Sequence, residues 1–461
     1  MNRDEGLVLE PPPADSIASL GRFRERRSGA KDGSAFGRPL AEWQSESRAM
    51  LGLPPDRPVV LTGHQAGIWH AGILAKWIFA DSIARRSGAA TAAILVEQDT
   101  NDAGELAYPA LVDGLLRRAS LPTLPSRRGG PTGLARPIRV APPELEPAPG
   151  LAPRLAAIAA AVNAEASAAN LAAQMAAAND RLLRELLRLE PPPAIAACRL
   201  VELPFTKALL DDLASDPRGT AAYAAALAAD PRAARPLAAG ELPLWRLVPA
   251  EPFARREPVR AGDPAPPPGV RLAPRAFLLT AIARLVLGDL FIHGTGGGRY
   301  ERVTEEWIQR WLGLRLAPMA IASATRRLPL EGFLTGPDPV TPAEIRRRAF
   351  DPDARGAGPS EPRRGLLAAI DAAPRGSASR RAAYRALVAH RERRRREIAA
   401  ELDVLRAELD RSRDRAAALE VARSRTWPWP LHSDARLAEL GAELGAELGA
   451  ELGTALGARP S

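Results

Sequence analysis

Two hydrophobic periods alternate along the chain, short unbroken apolar runs followed by stretches of helical spacing. Pro58-Val-Val-Leu-Thr62 is a β-rich run ending at Gly63. Over residues 73–87 the period becomes helical, with Ile73, Trp77, Ile78, Ile83 and Ala84 able to share one face. Gly88 stands where a helix C-terminal glycine belongs. Residues 91–96 form a second apolar strand, ending in Glu97, Gln98 and Asp99. Strand, glycine turn, helix and strand make a βαβ unit, which by handedness and burial predicts a parallel sheet covered by helices. The passage recurs further on. Residues 276–287 are apolar and helical in character, residues 289–293 are strand-like, and His293-Gly-Thr-Gly-Gly-Gly298 is a glycine-rich turn. A helix follows over about 302–312, with Val303, Trp307 and Trp311 spaced by four.

The remaining segments frame these two blocks. Residues 1–55 read as an N-terminal arm laid over the core, rich in Pro, Gly and Arg, with one amphipathic helix at about 40–51. Residues 56–150 hold the first part of a Rossmann-like core, and 123–153 within them resemble a connecting loop. Residues 151–192 form an Ala-rich helical segment, one helix or a pair, closed by Pro191-Pro-Pro193. Residues 193–350 hold the second part of the core, with 230–270 broken by proline into turns. Residues 337–378 are loop-rich, and residues 351–435 are a helical coiled-coil region. Its long charged helix at 380–422 carries Ile398, Leu402, Leu405 and Leu409 in alternating steps of four and three, an a/d seam. Residues 436–461 are a low-complexity tail. There Glu439-Leu-Gly-Ala repeats to Gly457, and a glycine every fourth residue weakens a helix by roughly 1 kcal/mol each, which predicts weak structure. The fold class expected is α/β: a Rossmann-like parallel-sheet core with helical insertions and a C-terminal coiled coil.

Composition changes this picture little. The net charge of +9 suggests a nucleic-acid partner. However, the cations are almost all Arg, Lys occurring only at Lys31, Lys76 and Lys207, and Ala, Arg, Pro and Gly are inflated together. Much of the Arg therefore stands in for surface Lys, and nucleic acid is disfavoured, although the basic field still attracts phosphate-bearing ligands. The single cysteine, Cys198, allows no intramolecular disulfide and no Cys-rich metal site, and its apolar surroundings suit a buried small hydrophobe. The N-terminus lacks an apolar signal core and no run is long enough for a bilayer, so a cytoplasmic protein without a membrane partner is expected.

Three stretches carry candidate chemistry. In Thr62-Gly-His-Gln-Ala-Gly67, glycine lets the backbone turn off the strand end and brings N–H groups toward a ligand, with the next helix N-terminus favouring an anion. His64 and Gln65 project toward the carboxyl edge of the sheet, the ligand position in open α/β sheets, and His70 lies near the same mouth. Asp99 and Asn101 close the second strand, where a carboxylate can bind a hydroxyl or an amine or act as a base. His293, Gly294 and Gly296, with Tyr300, suit a backbone cradle for phosphate or carboxylate, although the spacing fits neither the dinucleotide fingerprint nor a P-loop. Ser323 and Thr325 add hydroxyls. Each set has a bland alternative: a tight turn with a satisfied histidine, a solvated acidic loop, and a strand-to-helix turn. No metal-ligand spacing is present. The expected catalytic pair is His64, polarising or protonating, and Asp99, orienting an amine or sugar. Thr62, Gly63, Gln65, Gly67, His70, Asn101, His293, Gly294, Gly296, Tyr300, Ser323 and Thr325 are expected to bind substrate or nucleotide.

These blocks resemble the cysteine-adding enzymes of bacillithiol synthesis, and more closely their uncharacterised bacterial relatives. Thr62-Gly-His-Gln-Ala-Gly67 is similar to the family's Thr-Gly-Gln-Gln-x-Gly turn, Gln98-Asp99-Thr100-Asn101 to its Glu-Asp-His-Asp motif, His293-Gly-Thr-Gly-Gly297 through Tyr300 to its Gly-Gly-Pro-Gly-Glu block, and Ser323-Ala-Thr325 to its Ser-Ala-Thr. Order and spacing agree over roughly residues 58–330. Three departures stand out: His64 replaces Gln, Thr100 and Asn101 replace His and Asp, and Gly297 replaces Glu. The resemblance implies a Rossmann-like core, a coiled coil, and a cytoplasmic ligase joining cysteine to a small amino-sugar substrate such as glucosaminyl malate. A nucleotide, ATP or ADP, is the cofactor class considered, and a homodimer through the coiled coil the assembly. The alternatives are a nucleotide-dependent transferase acting on another small substrate, and a non-catalytic metabolite-binding or coiled-coil scaffold.

Overall fold

A parallel strand covered by helices on both faces has no polar side, and the runs around Val59 and Ala92 meet that demand. In the computed structural model, which describes residues 5–28, 33–125, 129–250, 254–333, 343, 361–397 and 399–447, both runs lie inside a six-stranded sheet. Four of its strands are β1 (Gly6–Glu10), β2 (Val59–Gln65), β3 (Ala90–Val96) and β4 (Ala194–Ala196). An antiparallel sheet intervenes in the chain, built from β5 (Glu241–Val248), β6 (Arg255–Arg260) and β7 (Arg271–Pro274). The central sheet is then completed by β8 (Leu290–His293) and β9 (Met319–Thr325). Its order is β1-β9-β8-β2-β3-β4, parallel except for β1, which pairs antiparallel with β9. The fold is mixed α/β with a mainly parallel central sheet. Val59, Val60 and Leu61 are fully buried in it.

Helices supply the covering layers. They include α1 (Pro13–Ser28), α2 (Leu40–Met50), α3 (Ala71–Ser87), α4 (Ala152–Ala164), α5 (Leu171–Leu187), α6 (Pro204–Ser215), α7 (Pro217–Ala229), α8 (Ala276–Ile282) and α9 (Gly297–Leu312). Helix α3 packs on β9 and β2 and ends at Gly88, whose φ of 64° is the left-handed conformation glycine adopts most readily. At the amino edge of the sheet, Asp289 accepts from the backbone N–H of Val59 (2.9 Å) and from Arg48 of α2 (2.6 Å), tying α2 to the starts of β2 and β8. The Arg48 and Asp289 side chains are both buried.

The chain divides into two units. The first holds residues up to Tyr108, Ala119–Leu328 and the chain from Arg425 onward. The second holds Pro109–Arg118 and Pro329–Ser424. In the second, α10 (Glu361–Ala372) packs on α11 (Ala378–Glu397), α12 (Ala399–Arg423) follows, and Arg117 pairs with Asp414 at 2.8 Å. Residue 398 lies outside the described residues, as do the side chains of Leu402 and Leu405, so of the expected seam only Leu409 is described, and it is half-buried.

Several elements differ from the sequence expectation. The N-terminal arm contributes β1 to the central sheet and also forms α1. The stretch read as turns at 230–270 contains β5 and β6. Pro243 sits where the β5–β6 register slips between Leu242 and Trp245, an irregularity that tolerates the missing N–H. The loop-rich reading of 337–378 misses α10. The repeat expected to be weakly structured is helical in α13 (Asp434–Glu447), with Leu440 and Leu444 fully buried. Burial of a leucine stripe there outweighs the glycine penalty. Residues 448–461 lie outside the described residues. No helix among the described residues is long and apolar enough to cross a membrane.

Candidate functional site

From β2 the chain moves outward through β3 to β4, and it later returns on the other side of β2 to lay down β8 and then β9. Neighbouring strands whose connections leave in opposite directions open a crevice at their carboxyl ends. A cavity of about 480 Å³ lies there. It is lined by His64 and Gln65 at the end of β2, Asp99 after β3, His293 and Gly294 at the end of β8, and Ser323 in β9. His70, Gly63, Gly296 and Tyr300 line it too.

The histidines are neutral hydrogen-bonding groups. His64 Nδ1 lies 3.2 Å from the Gln65 carbonyl, so Nδ1 carries the proton and Nε2 is left as an acceptor. Burial, and secondarily the Lys76 charge, push its pKa down to about 3. His70 caps α3 in the opposite tautomer, its Nδ1 accepting from the Gly72 N–H at 3.1 Å, which leaves Nε2–H as a donor. Burial and the Arg425 charge lower its pKa to about 4.

Across the crevice, His293 Nε2 lies 3.4 Å from Glu301 Oε1, an ion-pair distance without hydrogen-bond alignment. Glu301 is fully buried on α9 and also pairs with Arg284. Burial alone would raise the Glu301 pKa, but His293 and Arg284 hold it below the ordinary value. The His293 pKa is lowered by burial, with Glu301 opposing. The ring packs so closely on Gly297 that a Cβ there would fall 1.7 Å from His293 Nδ1. No side chain at position 297 is compatible with this ring placement. The N-terminus of α9, with its backbone N–H groups, therefore opens directly beside the cavity.

Asp99 is held from two sides. Its Oδ2 accepts from Gln65 Nε2 at 2.6 Å, and its Oδ1 accepts from Arg256 of β6 at 3.1 Å. The antiparallel sheet also contributes Trp245 to the cavity wall, and Arg275 lies over that ring at 3.8 Å. Gln98 donates to the Pro274 carbonyl at 3.1 Å, fastening the end of β3 to β7.

Four expected residues do not line the cavity. The Thr62 hydroxyl, fully buried, donates to the Ile292 carbonyl at 3.1 Å and so fastens β2 to β8. Gly67 offers its carbonyl to Asn179 at 2.6 Å. Asn101 donates to the Ala66 carbonyl at 2.6 Å and pins the turn after β2. The Thr325 hydroxyl accepts from Arg425 at 3.2 Å. Each of the four is hydrogen-bonded to a neighbouring segment.

Sequence reasoning missed the most unusual wall residue, Lys76. It is 3% exposed, its Nζ donates to the Gly63 carbonyl at 2.6 Å, and burial pushes its pKa down to about 7. The available signal was a lysine inside the otherwise apolar stretch 73–80 in a chain that uses Arg almost everywhere else. Arg256, Arg275 and Arg425 were missed because distant segments bring them in. Cys198 is buried, as its apolar surroundings indicate, and burial raises its thiol pKa. No group of three His, Cys, Asp or Glu side chains among the described residues is placed to hold a metal ion. The sequence matches no protein-family model and no curated protein.

Proposed function

We propose that this crevice is the active site of a cytoplasmic ligase-like enzyme that joins an amino acid such as cysteine to a small amino-sugar or similar substrate, on a Rossmann-like core similar to that of the bacillithiol cysteine-adding enzymes. One observation carries the reading. His64, Asp99 and the turn beginning at His293, far apart in sequence, line one cavity where strand connections diverge. A volume of about 480 Å³ suits a small polar molecule.

Amide formation needs an amine held at a carboxyl carbon and donors aimed at the oxygen where charge develops. Asp99, fixed by Gln65 and Arg256, suits the amine or the sugar hydroxyls. The N–H groups at the start of α9 and His70 Nε2–H suit the oxygen. His64, neutral near pH 7, suits polarising or proton-accepting work at Nε2 rather than proton donation. The same glycine turn fits the phosphates of ATP or ADP; such a nucleotide, when bound, would supply a phosphate leaving group or an allosteric anion. Dimerisation through α11 and α12 belongs to the same proposal.

The test is mass-spectrometric assay of the purified chain with cysteine and glucosaminyl malate, with and without ATP, beside His64→Ala and Asp99→Ala. Product formation that falls at least 100-fold in both variants is expected. Variants that turn over like the parent would sink the reading. A parent that forms no product with either the amino sugar or related amines would favour the scaffold alternative.

A further inference from the structure

We infer that the cavity seats the anionic group of its ligand, a phosphate or a carboxylate, on Lys76 Nζ beside the glycine turn that precedes α9. The assignment rests on this cavity being the ligand site proposed above, and it names the chemical class that the site takes.

Lys76 lies on α3 with its side chain almost wholly buried, yet it is on the cavity wall. Its ammonium has three donors, and one is used by the Gly63 carbonyl at 2.6 Å. No carboxylate among the described residues lies within ion-pairing distance of it. Its stem runs alongside the turn, since a Cβ built on Gly294 would lie 3.8 Å from Lys76 Cδ. The ammonium therefore stands between the end of β2 and the loop leading into α9, where backbone N–H groups also favour an anion.

Among the described residues, the groups that face Lys76 bring no negative charge near neutrality. From β2 comes His64, from the cap of α3 comes His70, and from β8 comes His293, all with lowered pKa values. From α9 comes Tyr300, whose phenol is pushed up by burial and by Glu301. Glu301 itself is committed to Arg284 and His293. The carboxylate on the wall, Asp99, is engaged by Arg256 and Gln65, while Arg275 is matched by Glu241 and Arg425 adds a further cation. An isolated buried cation is unfavourable, and it either loses its proton or gains an anion. The depressed pKa of Lys76 is the first response, and ligand binding is the second.

The anion should therefore bind together with a proton. Calorimetry on the full chain with malate and, separately, with sulfate as a stand-in for phosphate tests this, because neither probe titrates between about pH 6 and pH 8.5. Binding of malate assigns the carboxylate source and binding of sulfate the phosphate source. In either case the affinity should fall about 30-fold from pH 6 to pH 8.5, as expected for a lysine with pKa about 7. Near pH 8 the heat should depend on buffer ionisation enthalpy with the sign of proton uptake. Lys76→Met should weaken binding at least 30-fold. Failure of both probes to bind, binding without proton uptake, or a Lys76→Met variant that binds like the parent would overturn the inference; the uptake measurement serves even if that variant does not fold. Loss of anion binding in Lys76→Met beside a parent that forms no product from cysteine and glucosaminyl malate would leave this inference standing and remove the ligase reading.

Discussion

Replacing Lys76 by Met should make the empty protein more stable, by an amount that depends on pH in a defined direction. Lys76 has a pKa near 7 in the folded chain against 10.5 for an ordinary lysine. Between those values the unfolded chain holds the proton and the folded chain does not, so stability rises with pH across that window. Below pH 7 the penalty is complete. At 1.36 kcal/mol per pH unit it amounts to about 5 kcal/mol. Met fills a similar volume without charge. Its gain is reduced by the Gly63 carbonyl losing its donor, which costs about 1–3 kcal/mol. A net gain of about 2–4 kcal/mol is therefore expected near pH 6. Near pH 9.5 most of the penalty has already gone, and the gap between variant and parent should be about 3 kcal/mol smaller than at pH 6. The lost hydrogen bond does not titrate, so the change in the gap isolates the charge. His64 and His70 titrate below this window and do not contribute to it. Urea unfolding of both proteins at the two pH values measures the gap. A gap that stays constant would refute the claim that Lys76 is buried without a counter-charge.

Other outcomes follow from the same wall. Glu301→Gln leaves the buried Arg284 with, among the described residues, only the half-exposed Glu305 as an acidic partner, and should lower stability by about 3 kcal/mol, read as a shift of the urea midpoint. The ring protons of His64 and His70 should show no NMR titration between about pH 5 and pH 8. Because the unfolded rings take up protons near pH 6.5 and the folded ones only near 3 and 4, stability should fall as pH drops below 6.5.

The sequence exposed the parts of the site whose signal is local. A strand end followed by glycine and a helical period is visible around residues 58–88, and again around 289–312, because backbone geometry there is dictated by nearest neighbours. That two such turns face the same crevice follows from topology, which the βαβ pattern implies. Roles within each motif were less legible. Thr62 and Asn101 belong to the same turns as His64 and Asp99, yet their side chains reach backbone carbonyls of adjacent segments. A polar residue near a strand end can turn toward ligand or toward protein, and neighbouring letters do not distinguish the two. The sheet of β5–β7 was hidden for a different reason. Its strands carry Pro243 and Pro258 and many Arg residues, and only the pairing of β5 with both neighbours makes them strands.

The choice of lysine at position 76 has its own logic in a chain where only three of 63 basic residues are lysines. An arginine keeps its proton at any accessible pH, so burying one beside three imidazoles and, among the described residues, no carboxylate would impose the full desolvation cost whenever the cavity is empty. The buried arginines among the described residues avoid that cost with partners, Arg48 with Asp289, Arg275 with Glu241, Arg284 with Glu301 and Arg326 with Glu443. Lysine can release its proton when the site is empty and regain it when an anion arrives. A purely structural residue in that helix would be apolar, like its neighbours Ala75 and Trp77. One of the chain's three exceptions to its preference for arginine thus falls at the position where a cation that can switch off lowers the cost of an unfilled site.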